Sequence, residues 1–230
     1  MNLYVAGDSF ASLSKTQAIG NSWSELLASK LNANLVNVAR PAASNFSIAL
    51  QIEWIISKIT LDDLIIILLT DHHRKTLVDV DIKKDKTKSL LEQHSIHKDQ
   101  MPSPMVKYSL KPRLLSSTIH HEKTKSYYRD WFDIDVQETE DRLIITGVLA
   151  KLSSITDRFL VVKGGYENAD HQTFCINDYQ FTMTTSKSML DWSDNTDSIN
   201  HLDDMTHQKI AGKLKFLIKR FNKLDKRNNE

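Results

Sequence analysis

Short apolar runs alternate with amphipathic stretches along the chain, and their order predicts an α/β fold. Residues 2–6 form a continuous apolar run, suited to a strand buried on both faces. From about Asn21 to Leu31, Trp23, Leu26, Leu27 and Leu31 fall on one helical stripe. Leu35 to Val38 reads as the second strand. After the loop Arg40-Pro41-Ala42-Ala43-Ser44-Asn45, Ser44 or Asn45 caps a helix whose buried stripe includes Ile48, Ile52, Ile55 and Ile59. Leu64 to Leu69 is the most hydrophobic strand and is expected at the sheet centre.

The pattern then changes. Between Lys75 and Lys125 there are 11 Lys/Arg against 6 Asp/Glu, three of the four prolines and little periodicity. A connection of that length is expected to be an insertion outside the core, either a lid or a solvated excursion. Helix returns over Tyr127 to Ile155, with Ile144, Val148, Leu152 and Ile155 on one face, and Phe159 to Val162 is the next strand. Gln180 to Thr184 is a candidate short strand. The last helix starts near Thr206, its core stripe formed by Ile210, Leu214, Leu217, Phe221 and Leu224. Strands alternating with helices predict a mostly parallel sheet between two helical layers. No internal repeat is apparent.

Composition changes this picture little. The 230 residues suit one α/β domain carrying an insertion, with residues 1–230 as the domain and 75–125 as the inserted segment. Thirty Lys/Arg against 29 Asp/Glu leave no global field to draw nucleic acid. The basic stretch Lys215 to Arg227 reads as a solvated helix end. A lone Cys175 excludes an intrachain disulfide framework. The longest apolar stretch, Leu64 to Leu69, is far too short to span a membrane, and no signal peptide is visible. The expected setting is cytoplasmic or virion-associated.

Chemistry concentrates at the two ends of the chain. The first strand breaks at Gly7-Asp8-Ser9, which carries the Ser9 hydroxyl to the strand's carboxyl end, where ligands bind in open α/β sheets. Serine needs a base to become a nucleophile. Asp204-Met205-Thr206-His207, just ahead of the last helix, offers one, with Asp203 as an alternative to Asp204. Taken singly, Gly-Asp-Ser also suits an ordinary Asx turn, and Asp204 also suits a helix N-terminus. The pairs His72-His73 and His120-His121 lack cysteine or H-x-x-x-H support, so no metal is expected. Tyr127, Tyr128 and Trp131 read as core more readily than as a pocket lining.

The G-D-S and D-x-x-H blocks, at opposite ends of an α/β pattern, resemble the SGNH (GDSL-type) hydrolase family. The resemblance implies a three-layer, flavodoxin-like α/β/α sandwich and a triad of Ser9, His207 and Asp204. It also implies an oxyanion hole from the N–H of Ser9, the N–H of a block-two glycine and a block-three asparagine. In this chain Ala42 stands at the glycine position, and block three reads Leu69-Thr70-Asp71-His72 without asparagine. Thr70, Asn45 and Arg74 are the substitute donors; an ionised Asp71 would repel an oxyanion. A divergent branch with Pro-(Gly/Ala)-Ala-Ser-Asn in block two and Thr-Asp-x-x-Arg in block three looks closer. The expected function is hydrolysis of an ester, a carbohydrate O-acetyl or short-chain acyl ester, with no cofactor. The rival is a non-catalytic binding or structural module, for instance in a virion.

Overall fold

The computed structural model describes residues 1–13, 22–40, 43–70, 72, 75–78, 112–115, 129–163, 202 and 204–228. Strand β1 (Asn2–Ala6) and strand β3 (Leu64–Leu69) form the middle of a four-stranded sheet, flanked by β2 (Asn34–Asn37) and by a late strand, Phe159–Lys163. All pairings in this sheet are parallel, with Val5 opposite Ile66 and Ile67 opposite Val161. Every residue of β3 is buried, as its unbroken apolar sequence requires.

Alternation along the strands divides the core in two. Leu3, Val5, Ile66, Leu68 and Leu160 pack on helix α1 (Trp23–Leu31) and on the last helix, Asp204–Asn228. Tyr4, Ala6, Ile65, Ile67 and Val161 pack on α2 (Asn45–Ile56) and on α3 (Ile134–Ser153). We call the last helix α4 and the late strand β6. The chain therefore forms an α/β fold with helices on both faces of an all-parallel sheet. After β1 the chain crosses to β2 over one face, then returns to β3 over the other. Right-handed crossovers in opposite directions require that. The reversal lies between the carboxyl ends of β1 and β3.

Local chemistry sets the helix boundaries. Ser22 caps α1 through a reciprocal box with Glu25, and Asn32 closes it in the left-handed conformation at φ 51°. Ser44 caps α2, leaving Asn45 inside the helix. Asp133 caps α3 by accepting the N–H groups of Asp135 and Val136. The expected α3 stripe is rotated: Ile145 and Leu149 are fully buried with Val148 and Leu152, while Ile155, beyond the helix end, is 39% exposed. On α4, Ile210, Leu214 and Ile218 are buried.

The segment read as lacking strand periodicity contains two short strands, β4 (Lys75–Val78) and β5 (Pro112–Leu115), paired antiparallel with Lys75 opposite Leu115. Four residues each are too few for a period-two signal to stand out. They form a sheet of their own, apart from the parallel one. The strand expected over residues 180–184 lies outside the described residues. Among the described residues, no helix is long and apolar enough to cross a membrane.

Candidate active site

The reversal point between β1 and β3 is built from polar side chains buried among apolar ones. At Gly7 the backbone adopts φ +155°, and a Cβ there would lie 2.8 Å from the Leu68 Cβ and 2.9 Å from the Ala11 Cβ. Only glycine lets the strand turn this close to β3. The Gln51 side chain, reaching across from α2, holds both polar groups of that residue: its Oε1 accepts the Gly7 N–H at 2.7 Å and its Nε2 donates to the Gly7 carbonyl at 3.2 Å. The Arg40 N–H donates to the same carbonyl.

Asp8 is fully buried and committed to the turn. Its Oδ1 accepts the Phe10 N–H at 3.0 Å, and its Oδ2 accepts the Thr70 hydroxyl at 2.8 Å. The Ala11 and Ser12 N–H groups both donate to the Asp8 carbonyl. Between these fixed neighbours Ser9 is partly exposed. The sequence thus places a hydroxyl on a backbone pinned at the residue before it, the residue after it and the adjacent strand.

The two distant blocks converge on Trp23. Its indole N–H donates to the Phe10 carbonyl at 2.7 Å, and its backbone N–H donates to His207 Nδ1 at 3.0 Å. The second bond follows from helix geometry. Trp23 is the first residue of α1, and the amides of a helix's first turn have no partner within the helix. His207, in the first turn of α4, supplies the acceptor and is 5% exposed.

That contact fixes the proton on the ring. A backbone N–H can only donate, so Nδ1 carries its lone pair and neutral His207 carries its hydrogen on Nε2. In a serine triad the arrangement is reversed, with Nδ1–H on the carboxylate and Nε2 accepting from serine. Asp204, expected at Nδ1, is exposed at the start of α4. Asp203 lies outside the described residues.

A second buried network ties β3 to α2 and α3. Asn45 Oδ1 accepts the Thr70 N–H at 3.0 Å; its Nδ2 donates to the Thr70 carbonyl at 2.9 Å and to Asp141 Oδ2 at 2.8 Å. Asp141 is 1% exposed, and it also meets Gln137 Nε2 at 2.8 Å and His72 Nδ1 at 2.7 Å. These bonds engage two of the expected donors. Thr70 has one hydroxyl proton and gives it to Asp8, and Asn45 spends both amide protons within the network. In this arrangement neither serves as an oxyanion donor. Ala42, Asp71 and Arg74 lie outside the described residues, as do His73, His120, His121, Tyr127 and Tyr128. Trp131, read as core, is 80% exposed.

Gln51, Gln137 and Asp141 were not singled out in the sequence, although a signal was present. Each falls on the extension of an apolar stripe, Gln51 beside Ile48, Ile52 and Ile55, and Gln137 and Asp141 eight and four residues ahead of Ile145. Polar residues on a buried stripe must find partners. Arg40, which follows β2, is a further buried charge; removal from water pulls its pKa down to about 10. Comparison with protein-family models and with curated proteins yields no match.

Proposed function

We propose that the chain is a serine hydrolase of the SGNH type, with a flavodoxin-like sandwich, that cleaves an ester through an acyl-enzyme on Ser9. The observation that carries this reading is the pinned Gly7-Asp8-Ser9 turn at the carboxyl end of β1, where the strand order reverses. In open α/β sheets ligands bind at that point. The order β2-β1-β3-β6 and the two helical layers agree with such a sandwich.

In the reaction, Ser9 Oγ attacks the ester carbonyl carbon while a base takes its proton. The tetrahedral oxyanion collapses, the alcohol leaves with that proton, and water releases the acyl group by the same steps. Phe10, Ala11 and Ser12 have their N–H groups on Asp8. Among the described residues of this turn, the amide left for the oxyanion is the N–H of Ser9 itself. A small acyl group, such as the acetyl of a carbohydrate ester or a short-chain ester, is the proposed substrate.

A second reading has an observation of its own. Trp23 holds His207 in the tautomer opposite to that of a working triad, which favours a non-catalytic module, such as a virion component, that keeps the fold and part of the site. Reaction with a fluorophosphonate probe separates the two. The hydrolase reading expects labelling of the wild type that disappears in Ser9→Ala, together with a burst on an activated ester. An unlabelled wild type that also leaves activated esters intact gives the binding module precedence.

A further inference from the structure

Two helices on opposite faces of the sheet have outer faces that match each other. α3 exposes Val136 and Leu143, with Trp131 and Ile134 exposed at its start, and α4 exposes Met205 and Phe216. On α3, Val136, Leu143 and Gly147 lie seven and four residues apart, on one exposed face turned away from the buried Ile145 and Leu149. On α4, Met205, Gly212 and Phe216 repeat that spacing, turned away from Ile210 and Leu214. A Cβ added at either glycine would meet no atom within 4 Å among the described residues, so each glycine leaves helix backbone open to approach.

Large and small positions are interchanged between the two faces. α3 reads large, large, small; α4 reads large, small, large. Laid side by side in the same direction with Val136 at Met205, the faces bring Leu143 to Gly212 and Phe216 to Gly147. Each bulky side chain then meets the residue that leaves it room.

Charge agrees with shape. Asp130 to Asp141 contains no Lys or Arg, and Asp133, Asp135, Glu138 and Glu140 lie around the start of the α3 face. Met205 to Lys219 contains no Asp or Glu, and Lys209, Lys213, Lys215 and Lys219 lie around the α4 face. Opposite fields draw α3 of one copy to α4 of another, while each face repels its own kind.

Direction agrees too. α3 ends at Ser153 and feeds β6, so it runs against the strands; α1 feeds β2 in the same way. α4 starts beside the start of α1, through Trp23 and His207, and packs along it on the sheet. α3 and α4 therefore run the same way on opposite faces. A copy shifted along the sheet normal lays its α4 on the first copy's α3 in the parallel sense that the match requires.

We propose that this chain associates with copies of itself head to tail, the α3 face of one protomer on the α4 face of the next. Such a contact joins two different surfaces, and the shift that makes it does not close, so it builds an open stack rather than a two-fold pair. Stacking requires nothing of Ser9. A single pair of helix faces is a small interface, so association should be weak and should grow with concentration.

The test is analytical ultracentrifugation of the full chain at low salt, from roughly 1 μM to 1 mM, the range of weak contacts. The mean mass should rise past twice 26.4 kDa without a plateau, and fall back as salt is added. Leu143→Gln and Phe216→Gln should each weaken association by about 10–100-fold, the share of one buried large apolar side chain. Both positions are 66% exposed, so neither change disturbs the core. Mixed in equal amounts, the two variants should form a pair that stops at twice 26.4 kDa, because Leu143→Gln keeps an intact α4 face and Phe216→Gln an intact α3 face. A wild type that stays at 26.4 kDa throughout overturns the proposal. So does a Phe216→Gln protein that associates like the wild type, or a mixture that forms no pair.

Discussion

Removing the Asn45 side chain should show how much of the fold's stability rests on the polar network at the sheet's carboxyl end. Asn45 is 1% exposed and makes three hydrogen bonds, to the Thr70 N–H, the Thr70 carbonyl and Asp141. Asn45→Ala orphans both Thr70 backbone groups and takes one donor from a buried carboxylate. Each orphaned buried group costs about 1–3 kcal/mol, so the sum is roughly 3–5 kcal/mol once a water refills part of the space. That is a large share of the ~5–15 kcal/mol typical of a whole domain. In thermal melts it corresponds to a drop of roughly 6–20 °C for a chain of this size. Urea titration should give a lower midpoint with an unchanged slope, because the surface exposed on unfolding is the same. Asn45→Asp is the sharper control. It keeps the acceptor for Thr70 N–H but sets a second carboxyl against Asp141, so it should be at least as damaging at neutral pH and recover partly on acidification. An Asn45→Ala protein within about 0.5 kcal/mol of the wild type would refute the account of Asn45 as a clamp, since that is the scale of an ordinary surface change.

Two further substitutions probe the same scaffold. Gly7→Ala combines a rarely allowed backbone conformation with a Cβ 2.8 Å from that of Leu68; at about 1–3 kcal/mol for the backbone alone, plus the overlap, it should cost more in a urea titration than any single cap removal. Asp63 joins the start of β1 to the turn before β3, accepting from Asn2 N–H at 2.6 Å and from the N–H and hydroxyl of Thr60, each at 2.9 Å. Burial pushes its carboxyl up, but the hydrogen bonds from Asn2 and Thr60 outweigh that and hold it below the ordinary value. Its contribution is therefore complete above the unfolded pKa of ~3.9 and is lost as pH falls through the lower folded value. Asp63→Asn should be less stable than the wild type at pH 7, with the gap closing below about pH 4; a gap that persists unchanged in acid would show the charge to be irrelevant.

The fold was legible because apolar periodicity dictates it. Leu64 to Leu69 has no polar face to offer, so it could only be an interior strand, and the Ile48–Ile52–Ile55 stripe could only be a helix lying on it. The turn was legible because Gly7 marks a strand exit. The wiring of the site was not. Thr70 and Asn45 offer a hydroxyl and an amide that suit an oxyanion, and each has its protons bonded inside the protein. A side chain's chemistry is visible in sequence, but the partner that consumes it is set by packing between elements far apart. Asp141 meets Asn45 across 96 positions of chain. The register of α3 was misjudged for a related reason. Ile144 and Ile145 are adjacent and equally apolar, and the polar Gln137 and Asp141 decide which face turns inward.

The bond between Trp23 and His207 has a consequence for how the protein is made. It spans 184 positions, and synthesis proceeds at about 5–20 residues per second. On a ribosome the first helix therefore waits on the order of 10–40 s for the side chain that completes its amino-terminal amide. During that interval β1, β2 and β3 can assemble, since all three lie within the first 69 residues. Their α1 face stays bare of Ile210, Leu214 and Ile218. A nascent chain stalled before residue 204 would display the serine turn above an uncovered apolar sheet face, a surface of the kind chaperones and aggregates capture.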